Sequence, residues 1–268
     1  MHRRLAVAGT AATVLAAALF LRHGIPRPAD PRWPMVVVAC VAVLVANDGV
    51  CALRWRLFMP LSVSRTEAVR QYSEAAFINT ILPFAGDAWR ARSGRAALGA
   101  VISDRAVGGA VVAVGAVVSC AVIGYRGAGV MAIAAAIVVA AALWLLLGHR
   151  LIPRLRLDPQ RLAQAAALTV LFLLISAVAF AAAFSAARID ISVVDALAIT
   201  PLVLLAAAVP SLSGVGPGLV VLGWAAVRAG ADSGQTADVV VVLLLGQLAV
   251  AVLGALSLAA RTRRLVPA

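Results

Sequence analysis

The chain has 268 residues, of which 63% are hydrophobic and 13% charged, and its mean hydropathy is +1.03. Soluble domains average about 45–50% apolar and about 25% charged residues, so this composition excludes an ordinary soluble protein. The net charge of +12 comes with 23 basic residues, all arginine, and most of them lie at the ends of apolar runs. That placement is typical of contact with anionic lipid headgroups, and we expect no nucleic-acid partner.

Six apolar runs predict helices that cross a membrane, at residues 5–21, 35–53, 101–124, 128–148, 162–187 and 239–260. The first run follows a basic N-terminus, as the core of a signal peptide does. It is longer than the usual core of about 7–15 residues and lacks a small-residue cleavage site, so we expect it to be retained. The predicted fold class is all-α: a polytopic integral membrane protein with one transmembrane domain over residues 1–268.

Two re-entrant hairpins are predicted between these spans. Residues 66–82 are too polar to face lipid, and residues 196–209 and 217–230 are too short as helices, at about 21 Å each, to cross a bilayer. Each hairpin is broken by a Pro and a following Gly, within residues 81–87 and 209–216. In hydrocarbon such a break persists only where protein or a watery cavity satisfies the backbone. Matching breaks in two halves indicate a transporter-like site on discontinuous helices.

Arginine counts orient the predicted spans. The arginine-rich segments 54–95, 149–161 and 261–264 all fall on one side if both termini are cytoplasmic, and the loop 22–34 is the weak point of this assignment. Each half of the chain, about 1–125 and about 126–268, is predicted to contain two spans, then a hairpin, then a third span. An odd number of crossings between them predicts an inverted repeat in the cell (cytoplasmic) membrane, with the hairpin tips meeting near the midplane.

The first break carries the densest group of polar residues, Asn79, Pro83, Gly86, Asp87 and Arg90. We expect Pro83 to end the entering helix, Gly86 to permit a tight tip, and Asp87 to cap the returning helix, which would begin one residue later. Arg90 either pairs with Asp87 or presents its guanidinium to a phosphate. The structural alternative is a cap and a salt bridge at the membrane surface.

A second polar pair, Asp104 and Arg105, enters an apolar run. Because adjacent helical residues point about 100° apart, the two side chains should serve different partners. We expect Asp104 to neutralise Arg90 or another arginine. Arg105 is expected either to face a cavity or to snorkel to the cytoplasmic surface.

Asn47 and Asp48 lie near the end of the second predicted span, close to Trp55. This pattern favours a position at the membrane interface, with Trp55 in the aromatic belt. The sequence identifies no energy source for transport, but Asp48, Asp87 and Asp104 are candidates for proton coupling.

The second break carries no charge. Its hydroxyls and free N–H groups are suited either to binding an anion or to close packing against the first tip, and Gln247 is a plausible hydrogen-bonding partner. An alternative is that Gln247 is satisfied by a neighbouring helix. The candidate residues here are Pro210, Ser211, Ser213, Gly214 and Gly216.

The sequence contains no recognisable catalytic or metal-binding set. The cysteines Cys40, Cys51 and Cys120 lie in apolar runs without a CxxC pair, and the three histidines stand beside no candidate nucleophile. We therefore expect no metal, no cofactor, no disulfide framework and no enzymatic activity.

Four motifs occur in an order that resembles the lysylphosphatidylglycerol synthase transmembrane-domain family, also called flippase-like domain proteins. The resemblance covers nearly the whole chain. The motifs are Ala52-Leu53-Arg54-Trp55-Arg56, Asn79-x-x-Leu82-Pro83-x-x-Gly86-Asp87-x-x-Arg90, Asp104-Arg105 and Pro210-Ser211-x-Ser213-Gly214-x-Gly216.

The resemblance implies an inner-membrane protein that moves, or helps to move, a lipid or lipid-linked headgroup between leaflets. In the best-known members the module is fused to a cytoplasmic aminoacyl transferase. This sequence ends at Ala268 without one, so the synthase activity is not expected. Members often carry an acidic residue after the second break, where this chain has Pro217-Gly218-Leu219. An anionic phospholipid or a polyprenyl phosphate is therefore the favoured substrate.

Two other functions remain open. The first is a non-transporting scaffold of a glycosyltransferase or lipid-modifying pathway, with a membrane glycosyltransferase or a second copy of the chain as partner. The second is a membrane-embedded lipid-modifying enzyme, which would need a metal or a nucleophile–base pair.

Overall fold

The computed structural model describes residues 33–59, 63–81, 85–92, 95–124, 128–151, 158–207 and 216–264. Every regular element in these ranges is an α-helix. In chain order they are α1 (Trp33–Arg56), α2 (Arg65–Ile81), α3 (Ala85–Ala91), α4 (Arg95–Val122), α5 (Ala128–Leu151), α6 (Pro159–Ala186), α7 (Val193–Ala207), α8 (Gly216–Arg228) and α9 (Ser233–Arg264). The predicted span at residues 5–21 lies outside the described residues.

Four helices in the described part are long and apolar enough to cross a membrane. They are Trp33–Arg56, Ala97–Val122, Pro159–Ala186 and Ser233–Ala260. Large apolar side chains on these helices point outward, and Val38 and Leu256 are more than 60% exposed. Exposed apolar surface of this extent is typical of contact with lipid. The prediction of an all-helical membrane protein is confirmed at this level.

The predicted hairpin arms are also helical. α2 has 17 residues and α3 has seven, while α7 and α8 have 15 and 13. The two connecting tips, residues 82–84 and 208–215, lie outside the described residues. In each hairpin the first arm begins with a serine cap: Ser64 Oγ accepts from the Glu67 backbone N–H, and Ser192 Oγ accepts from the Asp195 N–H.

The helices α1 and α6 pack against each other in antiparallel directions. Arg54 contacts Thr169 and Asn47 contacts Ser176, so residue numbers rise along one helix as they fall along the other. Small buried residues such as Cys40 let the two backbones approach closely. Small residues at the contact are the usual basis of helix packing in membranes, where lipid tails provide no hydrophobic drive.

Each hairpin packs against the last long helix of the other half, α2 against α9 and α7 against α4. A glycine lies at each of these contacts. A Cβ added at Gly115 would stand 3.2 Å from the Pro201 Cβ, and one at Gly254 would overlap the carbonyl oxygen of Ser73. The crossing at Gly254 therefore depends on the absence of a side chain, and the crossing at Gly115 is tight.

Within each hairpin a glycine of the second arm again meets the first arm. A Cβ at Gly218 would lie 3.1 Å from the Val203 carbonyl oxygen and 3.0 Å from the Ala207 Cβ. In the first hairpin, an added Cβ at Gly86 would meet Ala75 and Asn79. These residues lie 128 positions before Val203 and Ala207 in the sequence.

Candidate functional site

Five side chains form a continuous row of alternating charge between α1, α3 and α4. Arg54 Nε donates to Asp104 Oδ1 at 2.7 Å, and Arg90 Nη1 donates to Asp104 Oδ2 at 3.2 Å. Arg90 also contacts Asp87, whose other partner is Arg105, with Nε 3.0 Å from Asp87 Oδ2. We call Arg54, Asp104, Arg90, Asp87 and Arg105 the charge chain.

The charge chain runs from the interior of the protein to its surface. The Asp104 and Arg90 side chains are 0% and 2% exposed, Asp87 is 18% exposed, and Arg105 is 52% exposed. A buried ion is tolerated only when partners offset its desolvation, which costs several kcal/mol. Arg90 is therefore fully engaged within the protein, and of these five residues Arg105 is the one positioned to meet a ligand.

The neighbours Asp104 and Arg105 serve different partners, as predicted. Asp104 points inward and neutralises both Arg54 and Arg90, while Arg105 points outward to Asp87. The helix that carries them starts earlier than predicted, at Arg95 instead of residue 101. The pair therefore lies about 14 Å into α4, at 1.5 Å per residue, and not at its entry.

Two aromatic rings enclose the central guanidinium. The Arg90 Cζ lies 4.8 Å from the Tyr72 ring centroid and 5.5 Å from that of Trp55, within the range of cation–π attraction. Trp55 is fully buried, so its predicted position in an interfacial aromatic belt is wrong. Burial raises the pKa of the Tyr72 hydroxyl above its usual range, which keeps this group neutral.

The inner end of the charge chain is anchored on α6. Arg54 Nη1 donates to Thr169 Oγ1 at 3.2 Å, and Thr169 donates to the Ala165 carbonyl at 2.8 Å. A Cβ at Gly108 would lie 2.7 Å from Arg54 Nη1, so this glycine provides room for the guanidinium. Sequence reasoning treated Arg54 as one of many interfacial arginines and did not assign it to the site.

The first hairpin is closed by Asn79, but not in the predicted way. Asn79 Oδ1 accepts from the Gly86 backbone N–H at 2.8 Å, which joins α2 to the start of α3. Asp87 lies inside the first turn of α3, so the prediction that it caps this helix is wrong. Gly86 is helical, and its function is close approach to the Ala75 carbonyl rather than a tight turn. Pro83 lies outside the described residues.

Most predicted residues of the second break lie outside the described ranges. Gly216 begins α8, and Gln247 is exposed on α9. An anion site at this tip, with Gln247 as its partner, stays a prediction. The residues outside the described part are Pro210, Ser211, Ser213 and Gly214.

The interfacial position of Asn47 and Asp48 stays a prediction, but the structure gives both residues partners on other helices. Asn47 is 5% exposed and donates from Nδ2 to Ser176 Oγ at 2.8 Å. Asp48 accepts from Ser73 Oγ, also at 2.8 Å. Both residues are therefore packed against neighbouring helices, Asn47 against α6 and Asp48 against α2.

Acid is expected to weaken the outer end of the charge chain. Burial alone raises the pKa of Asp87, but the guanidinium groups of Arg105 and Arg90 outweigh it and hold that pKa below its usual value of 3.8. A carboxyl whose pKa is lowered by folding stabilises the fold at pH values above the pKa that it has in the unfolded chain. That stabilisation is lost as the pH falls through the lower pKa of the folded state. In detergent, the thermal midpoint of the wild type should therefore be higher than that of Asp87→Asn. The difference should be largest at about pH 6 and should shrink below about pH 3.8. A constant difference down to about pH 3 would contradict the pairing.

The residues that the structure describes contain no group of three or more His, Cys, Asp or Glu placed to hold a metal ion. What these residues do provide is a buried row of charges with one half-exposed cation at its end. Comparison of the chain with models of protein families, with curated proteins and with solved structures finds no match.

Proposed function

We propose that the chain is a flippase-like membrane protein that passes an anionic lipid or lipid-linked headgroup between leaflets, with Arg105 as the first contact. The observation that carries this proposal is the exposure of Arg105 at the end of an otherwise enclosed charge chain. The five residues hold three guanidinium groups and two carboxylates, so they retain one surplus positive charge. A guanidinium binds a phosphate through two parallel hydrogen bonds.

The arrangement allows Arg105 to exchange partners at low cost. Asp87 is shared between Arg105 and Arg90, so a phosphate that takes Arg105 leaves Asp87 paired with Arg90. No charge of the chain is then left unpaired in a buried position, which would cost several kcal/mol. The acyl tails stay in the bilayer during this exchange.

We further propose that the halves form an inverted repeat with two re-entrant hairpins, in the cell membrane and with both termini cytoplasmic. Supporting this is the antiparallel pair of α1 and α6, which occupy equivalent places in the two halves. The packing of each hairpin on the opposite last helix, and the equivalent glycine contacts, support it as well.

The serine caps Ser64 and Ser192 are also 128 positions apart, as are Ser73 and Pro201 at the two glycine crossings. These offsets all fall within α2 and α7 and their caps, so they align the first arm of one hairpin with the first arm of the other, as a structural repeat requires. Rocking of the halves about their shared contact is the mechanism by which such repeats give alternating access.

Arg105→Gln tests the headgroup role. Loss of a hydrogen bond to a charged group costs about 1.5–3 kcal/mol, so the rate of anionic lipid transfer in proteoliposomes should fall by about tenfold or more. The fold should persist, because Asp87 keeps Arg90. Arg188→Gln removes the same charge from an exposed loop and should have no effect on transfer. Equal transfer rates for folded Arg105→Gln and Arg188→Gln would contradict the proposal.

A further inference from the structure

Asp48 is a carboxylate inside a helix that is long and apolar enough to span a membrane. It lies eight residues before the end of α1 at Arg56, which is about 12 Å along the helix axis. An ionised side chain at that depth is costly and faces protein or a watery cavity when it is retained. Asp48 is half-buried, whereas its neighbour Asn47 is enclosed, so part of Asp48 lies at the surface of the helix bundle.

Asp48 differs from the two carboxylates of the charge chain in its partner. Asp104 and Asp87 are each shared by two guanidinium groups. Asp48 accepts a hydrogen bond from the neutral hydroxyl of Ser73. Within the described ranges, no cation lies at ion-pair distance from it. A carboxylate without a paired cation can take up a proton without breaking a salt bridge.

The groups around Asp48 connect it to the charge chain through Arg90. The guanidinium of Arg90, on α3, lies 4.8 Å from the ring of Tyr72, which directly precedes Ser73, and Cys51 is the titratable neighbour of Asp48 on α1 itself. Besides Ser73, α2 carries the partly buried Tyr72, which lies against Arg90, and the buried Glu74, which is bound by Trp89 and lies 3.9 Å from Arg70.

The other helices packed on α1 bring few charges toward Asp48. α4 carries Asp104 and Arg105, which are both held within the charge chain. α6 contributes the hydroxyl of Ser176 to Asn47, and α9 contributes Gly246 against Leu44. Arg90 is thus the cation through which a change of charge at Asp48 reaches the candidate site.

We propose that Asp48 is a proton-binding site that couples the proton gradient to movement of the headgroup. The ionised carboxylate attracts Arg90 toward α1, and uptake of a proton from water converts it to the neutral acid and removes that attraction. Arg90 is then held by Asp87 and Asp104 alone, which changes how firmly Asp87 retains Arg105. This coupling rests on the proposed transport function, but proton binding at Asp48 does not.

Proton binding is tested by infrared difference spectroscopy of the protein in lipid nanodiscs between about pH 4 and about pH 9. The wild type should show a protonated-carboxyl band that titrates in this range. The band should vanish in Asp48→Asn and persist in Asp190→Asn, which alters an exposed carboxylate between α6 and α7. Ser73→Ala should move the midpoint to higher pH, because the lost hydrogen bond favours the ionised form. A band that survives in Asp48→Asn, or an unshifted midpoint in Ser73→Ala, would overturn the assignment.

Coupling is tested separately in proteoliposomes with an imposed pH gradient. The gradient should alter the rate of anionic lipid transfer in the wild type, and Asp48→Asn should transfer lipid at a rate that the gradient does not change. Transfer by the wild type that ignores the gradient would overturn the coupling. If Asp48 titrates but no lipid moves, the transport function fails while the proton site stands.

Discussion

Asp104→Asn is expected to prevent accumulation of folded protein in the membrane. The substitution removes the one negative charge between Arg54 and Arg90, both of which are buried. Removing one partner of a buried ion pair typically costs about 3–5 kcal/mol, a large share of a total stability of about 5–15 kcal/mol. Size-exclusion chromatography of a fluorescent fusion should show little monodisperse protein, and any that remains should unfold at a lower temperature.

Two further variants make this result specific. Asp190→Asn removes an exposed carboxylate between α6 and α7 and should leave the yield and the thermal midpoint unchanged. The double variant Arg54→Gln/Asp104→Asn removes both charges of the inner pair, and Arg90 keeps Asp87. It should recover part of the lost yield. A wild-type yield and midpoint for Asp104→Asn alone would show that the charge chain does not hold the fold.

Gly254→Ala is expected to loosen the contact between the two halves. The added Cβ would overlap the Ser73 carbonyl oxygen and stand 2.8 Å from the Phe77 Cβ, so the backbone of α2 must move. Overpacking of this kind costs about 1–3 kcal/mol, and more where backbone is displaced. The thermal midpoint in detergent should fall clearly below that of the wild type.

Other glycines provide graded controls for this effect. Gly49 in α1 has nothing within 4 Å of an added Cβ, so Gly49→Ala should be neutral or stabilising through helix propensity. Gly115→Ala should lie between the two, since its Cβ would stand 3.2 Å from Pro201. A midpoint for Gly254→Ala equal to that of Gly49→Ala would contradict the packing of α2 on α9.

The helices and the inner ion pairs were predictable from simple energetics. Long apolar runs have few alternatives to helices in a bilayer, so their approximate positions follow from hydropathy. An arginine partner for Asp104 also followed, because a carboxylate in an apolar run requires a nearby cation, and Arg90 was one of the candidates. Its second partner, Arg54, is 50 residues away along the chain, and nothing local indicates the contact.

The errors share one physical cause, which is that local patterns do not reveal tertiary contacts. Arg54 and Trp55 at the end of an apolar helix look like an interfacial belt, and only the packing of α2, α3 and α4 encloses them. Gly86 reads as a turn residue because glycine permits many backbone conformations. Its actual constraint is the Ala75 carbonyl, which belongs to another helix.

The most direct test of the account is a leaflet-accessibility assay with the purified wild-type protein in proteoliposomes. Fluorescent phosphatidylglycerol, a labelled polyprenyl phosphate and fluorescent phosphatidylcholine would be compared at equal protein density. Transfer of one of the anionic lipids well above that of phosphatidylcholine, which has no net charge, is the predicted result. If neither anionic lipid moves faster than it does in protein-free vesicles, while the protein is folded, the headgroup function is contradicted and a scaffold for a membrane glycosyltransferase becomes the better interpretation.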